Sequence, residues 1–224
     1  MILLAGLLHS GNNANRESPM NKEAPQVEAT CHFQVTPEGR LQGTVTLRNV
    51  GETDVLVFDR LWTVDRDNQP VADPQRVYRF ERDGELRLLF GGAPLPRLFL
   101  VTFANVPYAT RIRAGTAHEI ELSFPLPVTE YSCYFDEAAS STCARVVARR
   151  VRVIVTCLVV RSGVQFAPVA ADPTAFKVGP AEIVARASSA VATCPCPGIT
   201  VLRRTDMFDR VTLPGETPEP LPEK

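Results

Sequence analysis

The chain has 224 residues, 45% of them apolar and 22% charged, and a formal net charge of −1. A chain of this length buries roughly 70% of its unfolded surface, so neither a metal nor a disulfide is required simply to hold a core. The near-zero charge excludes a general electrostatic attraction to nucleic acid or anionic lipid. The longest apolar run, at 153–160, is far short of the about 20 residues that a membrane-spanning helix needs.

Residues 2–8 (ILLAGLL) have the apolar character of a signal-peptide core, although no basic residue precedes them. Polar, asparagine-rich sequence follows to Pro25, so 1–26 reads as a signal-like segment and flexible leader. Export to the periplasm or the exterior is the expectation, and a cytoplasmic chain with reduced thiols is the alternative.

From Val27 the apolar residues alternate. Val27, Ala29, Cys31, Phe33 and Val35 share one face, which predicts a strand turned at 37–39. Within 41–62, Leu41, Val45 and Leu47 oppose Gln42, Thr44, Thr46 and Arg48, a half-buried strand. The polar stretch 49–54 then predicts a tight turn, and β-branched and aromatic residues resume to Trp62, so the segment reads as a hairpin. Further strands are predicted at 76–80, 86–90 and 98–103, with Asp83 and Gly84 forming a turn. At 117–124, Ile120, Leu122 and Phe124 face inward against Glu119, Glu121 and Ser123, until Pro125 and Pro127 end the strand.

The stretch 149–160 carries Val151, Val153, Val155, Cys157 and Val159 on one face, while its other face turns from Arg150 and Arg152 to Ile154 and Leu158. That mixture suits a central strand passing from solvent into a covered layer. A short helix could precede that strand at 138–149, and another is expected at 180–192 from Pro180, Glu182 and the alanines that follow, with a strand the competing reading of the second. A strand at 199–203 closes the domain, and the acidic, proline-rich 213–224 reads as a disordered tail. Strands and turns at this spacing predict a mostly β fold: an antiparallel sandwich with one or two short helices and disordered termini, in a single domain over 27–212.

Six cysteines, Cys31, Cys133, Cys143, Cys157, Cys194 and Cys196, permit three disulfides, and Cys133 with Cys143 is the natural local pair. Cys194-Pro195-Cys196 is the alternative focus, two thiols able to hold copper or zinc or to cycle with a disulfide. Neither His32 nor His118 completes a zinc set at finger-like spacing, so no cofactor is expected. Asp65, Asp67 and Asn68 lack the glycine and distal glutamate of a calcium loop. A nucleophile–base pair of Cys31 or Ser123 with His118 lacks an orienting third group, and Glu119 with Glu121 reads as a solvated face. Trp62, Tyr78, Tyr108, Tyr131 and Tyr134 are candidates for sugar stacking, with core packing the preferred role for Trp62. Arg145, Arg149, Arg150 and Arg152 form a basic cluster suited to a partner's acidic surface or to pairing with neighbouring strands.

The strand–Asn-x-Gly–strand pattern in VTLRNVGETDV (45–55) resembles the opening hairpin of bacterial immunoglobulin-like modules. The resemblance implies a β-sandwich with an adhesive, spacer or assembly role. The expectation is therefore a non-enzymatic exported module that binds another protein. A thiol or metal protein built on Cys194 and Cys196 is the first alternative, and a carbohydrate-binding module the second.

Overall fold

The computed structural model describes residues 26–64, 70–73, 75–92, 94, 107–134, 143–179, 187–204 and 213. Thirteen strands lie among them: β1 (Val27–Val35), β2 (Arg40–Asn49), β3 (Val55–Val64), β4 (Pro70–Asp73), β5 (Tyr78–Arg82), β6 (Glu85–Phe90), β7 (Tyr108–Ile112), β8 (Ala117–Pro125), β9 (Val128–Thr129), β10 (Cys143–Val159), β11 (Gln165–Val169), β12 (Asp172–Gly179) and β13 (Ser188–Arg204). They form two sheets. The smaller has the order β1-β2-β8, and the larger runs β11-β12-β7-β3-β10-β13-β9, with β6 on β10, β5 on β6 and β4 on β3.

The alternation at 41–48 does place Leu41, Val45 and Leu47 in the core. The predicted hairpin at 41–62 does not form, because β2 and β3 belong to different sheets. Both edges of β2 are taken, by β1 and by β8, so β3 has no place beside it and crosses to the larger sheet. Asn49 organises that crossing. Its buried carboxamide donates to the Thr53 carbonyl (2.8 Å) and the Ile112 carbonyl (3.1 Å) and accepts from the Gly51 amide (3.0 Å). The exposed polar turn is thus clamped to the crossover by one buried side chain, Asn49.

β10 is the spine of the larger sheet. One edge pairs with β13 over most of its length; the other pairs in parallel with β6 at Arg150–Val155 and antiparallel with β3 at Cys157–Val159. This edge and the parallel β9–β13 pairing depart from a purely antiparallel architecture. The mixed faces of 149–160 follow directly. Val151, Val153, Val155 and Cys157 enter the core shared with the smaller sheet, while Ile154 and Leu158 enter two further clusters on the opposite face.

No helix occurs among the described residues. Residues 143–149, expected to end a helix, open β10, and 188–192 open β13. Their small side chains explain the second substitution of strand for helix: Ala190 and Ala192 alternate inward opposite Val155 and Val153, and long-range pairing overrides alanine's helix preference. The remainder of both predicted helices, the strand at 98–103 and the loop at 65–69 lie outside the described residues. Leu213, placed in the tail, is buried with Tyr78, Phe80 and Tyr131. Among the described residues no helix is long and apolar enough to cross a membrane.

Candidate functional site

β8 is an edge strand of the smaller sheet, and the odd-numbered residues of an antiparallel edge here present both backbone groups outward. Gln75, from the segment between β4 and β5, occupies part of that edge. Its amide donates to the Glu121 carbonyl (2.7 Å) and accepts from the Ser123 amide (3.1 Å), the two bonds that one residue of a parallel strand would make. Arg40 takes Ser123, from Nε to Oγ at 2.7 Å and from Nη2 to the carbonyl at 3.0 Å. A cavity of about 400 Å³ lies between Arg40, Gln42, Gln75 and Glu121. Ala117 and Glu119 keep outward backbone groups with no partner among the described residues, and neither Glu119 nor Glu121 is in an ion pair there. The arrangement is a partly plugged edge with an acidic rim.

A second cavity, of about 390 Å³, opens beside the end of β8 between Arg79, Phe124, Val128, Glu130 and Arg204. Arg79 lies over the rings of Phe124 and Tyr131 and donates to the Thr129 carbonyl. Glu130 is 2% exposed and accepts from the Glu81 amide (2.6 Å) and the Arg204 amide (2.8 Å). Burial outweighs those bonds and the nearby Arg82 and Arg203, and pushes the Glu130 carboxyl up to about 7. The group therefore holds a proton through mildly acidic conditions.

The six cysteines are free thiols. Cys133, expected to pair with Cys143, instead accepts from the Tyr78 hydroxyl at 3.5 Å. Cys157 is a core residue, its thiol pushed up to about 12 by burial, with Asp59 adding to the effect. Cys194 and Cys196 share the inward face of β13 where it bulges: Ala148 pairs with Ile199 but Arg150 with Pro195. Pro195 and Pro197 lack the N–H that a regular ladder would use, so the irregularity is built into the Cys-Pro-Cys-Pro-Gly run. Cys31, on β1, packs against the same core cluster as Cys194. Among the described residues no group of three or more His, Cys, Asp or Glu side chains can hold a metal ion, which leaves the copper or zinc reading of Cys194 and Cys196 without a ligand set there.

His118 does have an orienting group. Asp59, 3% exposed on β3, bonds His118 Nε2 (2.8 Å) and accepts from Thr110 Oγ1 (2.9 Å). The proposed nucleophiles lie elsewhere: Cys31 packs against the core cluster that holds Cys194, and the Ser123 hydroxyl is taken by Arg40. The pair links the two sheets. Arg150 and Arg152 converge with Arg87 on Glu85, at 3.1, 4.0 and 3.6 Å, so half of the arginine cluster is paired by neighbouring strands, while Arg145 and Arg149 are exposed. Tyr78, Tyr108 and Tyr131 are buried and Trp62 and Tyr134 half-buried, so no described aromatic offers a fully exposed stacking face.

Sequence reading passed over Gln75, Asp59 and Glu130. Asp59 carried a signal, a carboxylate inside an apolar strand; Gln75 and Glu130 carried none. No protein-family model, curated protein or solved structure matches the chain.

Proposed function

We propose that the chain is a non-enzymatic, exported, immunoglobulin-like sandwich module that binds another protein by accepting an extended segment along β8. One observation carries the reading: a side-chain amide, that of Gln75, occupies the backbone positions a neighbouring strand would take, while Ala117 and Glu119 on the same edge have no backbone partner among the described residues. Natural edges are usually blunted, and a plug made by one flexible side chain is readily displaced. An added strand would set its side chains beside Glu119 and Glu121, which favours lysine or arginine at alternate positions.

Synthetic peptides alternating Lys with Val, or Glu with Val, test the proposal when followed by amide hydrogen exchange. The lysine peptide should protect the amides of Glu119 and Glu121, the glutamate peptide should not, and Glu119→Lys with Glu121→Lys should reverse the preference. Gln75→Ala should tighten binding by removing the plug. Equal protection by both peptides, or protection by neither, overturns the assignment of β8 as the docking edge.

A further inference from the structure

β10 carries an open edge as well. It pairs with β13 from Cys143 onward, yet its other edge is taken only from Arg150, by β6 and then by β3. Over 143–148 that edge has no backbone partner among the described residues, and it ends where the Arg149 amide donates to the Gly84 carbonyl (2.9 Å). The direction of its groups follows from β13. The Leu202 carbonyl accepts from the Glu130 amide (3.2 Å) and the Arg204 amide donates to the Glu130 carboxyl (2.8 Å), so both residues turn away from β10. Residues opposite each other in an antiparallel pair either bond each other or both turn outward. Arg145 and Cys143, the partners of Leu202 and Arg204, therefore aim their backbone groups at the free edge, as does Val147 two residues on.

The side chains along this edge complement those of β8. Arg145 and Val147 are exposed, Val147 by 56%, and Arg145 has no ion-pair partner among the described residues. A basic and an apolar residue thus alternate along one unpaired edge, while Glu119 and Glu121 alternate along the other. In the antiparallel register that sets Arg145 opposite Glu119, Val147 falls opposite Ala117, on the part of β8 that Gln75 leaves uncovered. Arg145 then lies diagonal to Glu121, within reach of a long side chain.

We propose that the segment received by β8 is 143–148 of a second copy of the chain, joined edge to edge. The inference rests on the reading of β8 as a docking edge and names its occupant. The donating and accepting edges are different surfaces, so further copies add head to tail instead of stopping at a symmetric pair. So short a contact is weak, which makes assembly depend on concentration. Loss of the Gln75 plug lengthens it by setting Glu121 opposite Cys143.

Sedimentation velocity of the full chain over rising concentration, with a reductant present, tests the proposal. Mean mass should rise past that of a dimer, rise less in high salt, and rise further for Gln75→Ala. Arg145→Glu should stay monomeric, as should Glu119→Lys with Glu121→Lys, whereas mixing the two variants should restore assembly, which only folded variants can do. In the unsubstituted chain at high concentration, hydrogen exchange should slow at Ala117, Glu119, Arg145 and Val147, a readout that needs no variant. An unsubstituted chain that stays monomeric, a mass that stops at a dimer, or assembly that survives the charge reversals overturns the proposal. A monomeric chain whose Glu119 and Glu121 amides the lysine peptide still protects overturns the second copy alone. Failure of both overturns the docking edge with it.

Discussion

Removing the Asn49 carboxamide strands an acceptor at Ile112 and a donor at Gly51 inside the crossover. Buried groups left without partners cost about 1–3 kcal/mol, so Asn49→Ala should lower unfolding stability by that amount, with the denaturant slope unchanged. Gly43 offers a steric counterpart. It faces Phe33 across β1 and β2, and a methyl there would overlap both the Phe33 ring and the His32 carbonyl. Gly43→Ala should cost about 1–3 kcal/mol. In combination with Phe33→Leu the loss should be less than additive, because part of the clash is with the ring; a double-mutant cycle measures this. Neither role was legible beforehand. Asn-x-Gly announces a turn, but nothing local says that its asparagine is buried.

At the scale of elements, period-two alternation located β1, β2 and β8 well, because each has one more buried and one wetter face, while the core half of β10 was found by the mixed faces of a strand covered on both sides. Alternation says which way a residue points and nothing about which strand lies beside it. That is why β2 and β3 looked like a hairpin. The helix expected over 188–192 failed for a related reason, since alanines suited to a helix are equally the small residues needed where β13 packs close to β1. The β5–β6 turn was read correctly: Asp83 and Gly84 both have positive φ, 54° and 75°, the backbone of a tight two-residue hairpin. For β8, loss of its plug should expose the Glu121 carbonyl and the Ser123 amide. Gln75→Ala is therefore expected to increase concentration-dependent self-association, seen as a larger mean mass in light scattering, with little change in thermal midpoint.

For the molecule as a whole, Glu130 gives stability a pH dependence. Its carboxyl rises from an ordinary 4.5 to about 7 on folding, so the folded state binds the proton more tightly than the unfolded state. That contribution is complete below pH 4.5 and is lost as pH rises through about 7, a change on the order of 3 kcal/mol. Glu130→Gln should flatten unfolding free energy across this window. It should also lower stability at pH 4.5, because an amide NH₂ cannot accept from the Arg204 backbone as the carboxyl does.

The closeness of β1 and β13 also bears on synthesis. Val27 and Phe33 enter the chain near its beginning, whereas Ala190, Ile199 and Val201, which share their core, come near its end. A nascent chain that has emerged only through β12 therefore holds β1 and β2 with part of their cover missing. Closing such a core depends on contacts distant in sequence, which are slow to form. The core beneath β1 therefore stays open until β13 has been made and can close it.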